Sequence, residues 1–126
     1  MSTKDSILIF NLHRIFVDAA IELNPSWSSK TVESKANKKK PVHFEIEYSA
    51  FPPATFQLFN PIKKQIALHS DVIERTKYSV QITAERYSFS VLDPDYNDFG
   101  DYTLTAFNVG QNVSTTVKLV VNGKNL

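Results

Sequence analysis

Asp93, Asp95 and Asn97 recur at alternate positions beside Asp98, and hard oxygen ligands crowded on a short loop are what calcium takes. The spacing starts like an EF-hand loop and then departs from it. The sixth position, which needs Gly for a sharp turn, is Asp98, and the twelfth, which needs a bidentate Glu, is Leu104. The stretch therefore reads as a solvated acidic turn. His13, His43 and His69 have no metal-like spacing, and no Ser-His-Asp order stands out. Three glycines are too few to build a phosphate cradle easily. With no cysteine in the chain, thiolate metal sites, Cys nucleophiles and thiol redox switching are excluded. The expectation is a non-catalytic chain with no cofactor and no metal.

Two surface features could still take a ligand or a modification. Asn112-Val113-Ser114 is an N-x-Ser/Thr sequon at an expected hairpin tip, which matters only if the chain is secreted. Lys35, Lys38, Lys39 and Lys40 could bind a heparin-like glycan or acidic lipid. Lysine runs on loops more often serve solvation, and no arginine or aromatic joins this one. The net charge of +1, with 21% charged residues, gives no field for nucleic acid. No run reaches the ~18 apolar residues of a membrane span. The apolar-rich Ile7–Val17 is broken by Asn11, His13 and Arg14 and lacks the marks of a signal peptide. Without cysteine a small domain usually reads as cytosolic, although an aliphatic replacement for a disulfide would look the same.

The elements that must hold these residues are strands. At 126 residues the chain is one domain's worth, and its 12% aromatic share suits pleated surfaces. From Val42 onward, period-two alternation runs between turn signals. Phe44, Ile46 and Tyr48 share one face while Glu45 and Glu47 take the other, and Pro52-Pro53 stops the strand. Further strands are expected at Thr55–Phe59, Lys77–Thr83, Tyr87–Val91, Tyr102–Asn108 and Val113–Val121, the last two as a hairpin. Residues 1–20 are less regular and read as an extension or linker before a domain at 21–126. Asn24-Pro25-Ser26-Trp27 breaks the chain, with Trp27 expected to pack under the first strand, and the lysine-rich 34–40 forms a loop.

The run Asp98-Phe99-Gly100-Asp101-Tyr102-Thr103-Leu104-Thr105-Ala106-Phe107-Asn108 has the order Asp-x-Gly-x-Tyr-x-(core)-x-Ala-x-Asn. It resembles the turn and sixth strand of an intermediate-set immunoglobulin domain. The resemblance implies an all-β, immunoglobulin-like β-sandwich of two antiparallel sheets without a disulfide. Ile46, Leu58 and Leu104 would then fill the Cys, Trp and Cys places. Losing a disulfide costs ~2–5 kcal/mol, and burying two aliphatic side chains returns ~1.5–3 kcal/mol each. The resemblance also makes Tyr102 the tyrosine corner, bonded back to the backbone near Asp98. It gives Asp98 an arginine from the opposite sheet, Arg75 or Arg86.

Residues 12–122 are further similar to the fourth immunoglobulin domain of the vascular endothelial and platelet-derived growth factor receptors. Val42–Pro53, Leu12–Leu23, and Tyr102-Thr103-Leu104 with Leu119-Val120-Val121-Asn122 carry that likeness. It implies an extracellular glycoprotein module on the cell surface, acting as a spacer and as a homotypic contact when a ligand joins two receptors. The contact loop would be Asp93, Asp95, Tyr96 and Asn97. Part of that family has an Arg where this chain has Asp93, so acids facing their own copies would repel unless a cation elsewhere compensates or the contact uses another patch. Partners would be another receptor copy or neighbouring immunoglobulin domains. Tyr-Thr-Leu, the Asn-x-Gly hairpin and Ile21-Glu22-Leu23 also resemble cytoplasmic sarcomeric modules of the titin and twitchin type. A cell-adhesion immunoglobulin domain is the third expectation.

Overall fold

The structure, a computed structural model, describes residues 19–26, 29–33 and 40–122. Among the described residues ten strands run in chain order as β1 (Ala20–Pro25), β2 (Ser29–Glu33), β3 (Val42–Phe51), β4 (Thr55–Phe59), β5 (Gln65–Leu68), β6 (Asp71–Val72), β7 (Tyr78–Ile82), β8 (Arg86–Val91), β9 (Gly100–Phe107) and β10 (Asn112–Asn122). They build a four-stranded sheet ordered β1-β3-β8-β7 and a six-stranded sheet ordered β2-β10-β9-β4-β5-β6. Pairing is antiparallel except between β2 and β10, where Ser29 to Glu33 run parallel to Lys118 to Asn122. Residues 1–18, including Ile7–Val17, and Trp27 lie outside the described residues. Ala19 is buried, and Ala20, the first residue of β1, lies opposite Phe51 of β3.

Strand alternation sorts each side chain. In β3, Phe44 and Ile46 turn inward while His43, Glu45 and Glu47 are exposed. In β9, Tyr102, Leu104 and Ala106 are buried between outward Thr103 and Thr105. The proline pair after Phe51 ends β3, and the Phe51-Pro52 peptide is cis. The short strands β5 and β6 escape the period-two pattern. A register shift at Leu58/Phe59 lets Ile66 and Ala67 both be buried in succession.

Ile46, Leu58 and Leu104 are 0%, 0% and 1% exposed and belong to one contiguous core with Phe44, Phe56, Tyr87, Phe89 and Tyr102. Leu58 and Leu104 lie opposite each other on adjoining strands, and Ile46 comes from the facing sheet. The middle of the sandwich is therefore aliphatic, flanked by aromatics. Phe44 stacks on Phe89 at 4.9 Å between ring centroids, and Phe89 lies 5.6 Å from Tyr102.

Candidate functional site

The acidic stretch between β8 and β9 is a built turn. Asp95 caps a 3-10 turn, η1, at Tyr96–Asp98, its side chain accepting from the Asn97 backbone N–H at 2.9 Å. Asp98 answers reciprocally: its Oδ2 accepts the Asp95 N–H at 2.7 Å, completing a capping box. The backbone of Asp98 is tied at both ends. Its N–H donates to the Asp95 carbonyl at 3.0 Å, and its carbonyl accepts the Tyr102 hydroxyl at 2.6 Å. Gly100 follows at φ 128°, where a Cβ would also come within 2.8 Å of Pro61 Cβ. Only glycine meets both demands.

One cation organises this turn, and it is neither Arg75 nor Arg86. Lys77 Nζ lies 2.5 Å from Asp98 Oδ2 and 3.8 Å from Asp95 Oδ2, and donates to the Asp93 carbonyl at 3.4 Å. Its backbone is held just before β7, with its carbonyl accepting the Leu92 N–H at 2.8 Å. Arg86 sits on β8 opposite Glu47 of β3 and reaches that glutamate at 3.8 Å. Strand β7 thus delivers a lysine to the acid, which corrects the arginine expectation. The turn also carries its own cation beside its acids. Burial pulls the Lys77 ammonium down, but the hydrogen bond and charge of Asp98, with Asp95 adding, outweigh it and hold the pKa above the lysine value of 10.5. Burial pushes the phenols of Tyr87 and Tyr102 far above 10.0, and Tyr87 Oη has no hydrogen-bond partner among the described residues.

Asp93, Asp95, Tyr96 and Asn97 all lie at the surface, Tyr96 being 60% exposed with its ring edge on Phe99 at 6.2 Å. Among the described residues no three acids or histidines group as a metal site. His43 Nδ1 meets Ser90 Oγ at 2.5 Å, and His69 stacks on Phe56 at 5.7 Å. Of the lysine run only Lys40 is described, and it is exposed.

The far end of the sandwich is pinned differently. Asn108 Oδ1 accepts the N–H groups of Gly110 and Gln111 at 2.9 and 2.8 Å, while its Nδ2 donates to the Pro52 carbonyl at 3.0 Å. Gln111 Oε1 accepts the Ile21 N–H at 2.7 Å, tying β1 to the β9–β10 hairpin. Asn112 opens β10 and is exposed, with Ser114 two residues on bonded to Thr105 Oγ1 at 2.8 Å. Neither tie is among the expectations drawn from the sequence. The Asn before a Val-Gly turn was the available signal, since Asx side chains cap such turns.

No protein-family model matches the sequence, and no curated protein matches it either. Solved structures do resemble the fold. The Ig1 domain of mouse SynCAM 2 superposes with TM-score 0.64 at 18% identity, over 78% of this chain and 94% of that one. The titin Ig tandem A164-A165 gives 0.66 at 17%, over 83% of this chain and 48% of the tandem. The twitchin kinase region from C. elegans gives 0.63 at 15%, over 82% of this chain and 16% of that one. Among the described residues no helix is long and apolar enough to cross a membrane. At these identities the likeness speaks for architecture alone: the chain folds as an immunoglobulin-like β-sandwich.

Proposed function

We propose that this chain is a non-catalytic, extracellular module of a growth-factor receptor, a spacer that touches its own copy when a ligand joins two chains. The observation that carries this is the turn at 93–98. Lys77 and the capping box fix its backbone, so Tyr96 and Asn97 are presented with little ordering left to do. Lys77 also answers the acids that would otherwise repel across a two-fold. A small contact of this kind works by effective concentration, too weak for free domains and sufficient for tethered ones.

The test is an Asn97→Cys variant of this cysteine-free chain, free and fused to an inducible dimeriser. Disulfide-linked dimer is expected only after induction. Equal yield with and without induction, or none with it, overturns the reading. A second reading, a cytoplasmic scaffolding module, is favoured by the absence of cysteine. Secretory expression separates the two: a glycosidase-sensitive mass shift that is lost in Asn112→Gln supports the extracellular reading. The exposure of Asn112 at the start of β10 leaves room for a glycan.

A further inference from the structure

Two connections meet at the end of the sandwich where β1 begins, and neither carries a charge. Residues 49–56, where β3 gives way to β4, and residues 105–116, around the β9–β10 turn, hold no ionisable side chain. Phe51 is 58% exposed and Val109 62%, and Pro53 is exposed as well. The bond from Asn108 Nδ2 to the Pro52 carbonyl, at 3.0 Å, holds the two connections together. Ala20 opens β1 opposite Phe51, and Gln111 Oε1 takes the Ile21 N–H at 2.7 Å, so the chain enters at this end. Ala19, one residue earlier, is buried. The opposite end is charged, with Lys63 and Lys64 in the β4–β5 turn and Asp93, Asp95 and Lys77 around η1.

From this geometry we infer that the uncharged end is a docking surface for the chain's own residues 7–17. Eight of those eleven residues are apolar, Phe10, Phe16 and Val17 among them. Apolar side chains gain by leaving water, and Phe51 and Val109 are the large apolar side chains left exposed where that segment joins the domain. Reach is no obstacle. Val17 stands three residues before Ala20, so at about 3.6 Å per residue its Cα lies no more than about 11 Å from that of Ala20. Size selects the occupant. Two exposed side chains and a proline fall far short of the about 800 Å² per partner that a free complex needs. A segment already joined to β1 needs no such area, because its effective concentration at the site is about millimolar or more.

The described residues hold the surface ready. Asn108 Oδ1 accepts the N–H groups of Gly110 and Gln111 at 2.9 and 2.8 Å, which sets Val109 outward on a fixed turn. A protein seated on Phe51 and Val109 has first to displace the segment, which makes residues 7–17 a competitor for that end. The surface lies at the other end of the sandwich from the turn at 93–98 and stands without the receptor reading.

The chain has no cysteine, so two introduced thiols report the contact in the whole protein. Ser49, exposed on β3 opposite Glu22, is as near to β1 as Phe51 is but faces outward from the four-stranded sheet, and it serves as the control for mere proximity. Phe10→Cys with Val109→Cys should form a disulfide within one chain about tenfold or more faster than Phe10→Cys with Ser49→Cys. Adding Phe51→Ser should bring the two rates together. Without thiols, Phe10→Glu with Phe16→Glu should raise the binding of an apolar dye by the whole chain, and adding Phe51→Ser with Val109→Ser should reverse the rise. Equal rates at Val109 and Ser49, or dye binding that survives loss of Phe51 and Val109, overturn the inference. A disulfide between chains that grows with concentration overturns it in favour of a second copy. None of these results bears on cross-linking through Asn97→Cys, so this surface and the turn contact fail separately.

Discussion

The two sheets share one core and part company at their outer surfaces. Inward, both contribute aliphatic and aromatic side chains of the same kind: Ile46, Phe44 and Phe89 from one, Leu58, Leu104 and Tyr102 from the other. Outward, one carries Glu22, Glu45 and Glu47, and the other a neutral row of glutamine, threonine and serine. Burial demands the same chemistry from both sheets, because every inward residue faces the same apolar interior. Nothing in folding demands the same of the outer surfaces, which are free to differ.

The largest expected effect tests the inward half. Leu104→Ala should destabilise the domain by about 3–5 kcal/mol in denaturant unfolding, since it empties a fully buried site between the sheets. Its outward neighbour Thr105→Ala should cost under about 1 kcal/mol, losing only a hydrogen bond to Ser114. If the two cost the same, the inward–outward division is wrong.

Next comes the link between sheets at the acidic turn. Lys77→Met leaves buried Asp98 without its cation and should cost about 2 kcal/mol, less than a fully buried pair because Lys77 is partly solvated. Loss of order at Tyr96–Asp98, read by amide exchange, should accompany it.

Alkaline pH gives a graded effect. Tyr87 and Tyr102 keep their protons in the folded chain above 10.0, where the unfolded chain releases them. The folded state then binds more protons, so stability falls as pH rises past about 10, by about 1.4 kcal/mol per pH unit for each phenol. Lys77 acts in the same direction: its contribution is present below 10.5 and is lost as pH rises through its raised folded value. Tyr102→Phe should flatten this slope in chemical unfolding measured from pH 9 to 11, at a cost of about 1 kcal/mol near neutrality for the lost bond to Asp98. The smallest effect is Glu45→Lys, which should move stability by no more than about 0.5 kcal/mol.

Much of this architecture is legible in sequence wherever one face of a strand is buried and the other wet. Phe44–Glu45–Ile46–Glu47 and Thr103–Leu104–Thr105–Ala106 announce their faces by alternation alone. Strands β5 and β6 are not legible, because the register shift at Leu58/Phe59 breaks the period of two just where it would be counted. The parallel pairing of β2 with β10 is equally hidden, joining segments nearly the whole domain apart. At the acidic turn, Asp95, Tyr96 and Asn97 are visible as a polar cluster, while the cation that holds it is not. Lys77 is one of many lysines, and only the path of the chain before β7 brings its ammonium to Asp98.

Nothing covalent joins residue 46 to residue 104, and this bears on how the domain would behave under tension. A cross-link at those positions would lock away the 58 residue-to-residue steps from 46 to 104 (104 − 46), about 200 Å of extended chain at ~3.5 Å per step. Here that length is available to pulling, and the domain can give up its full contour and recover it without any bond being reduced or re-formed.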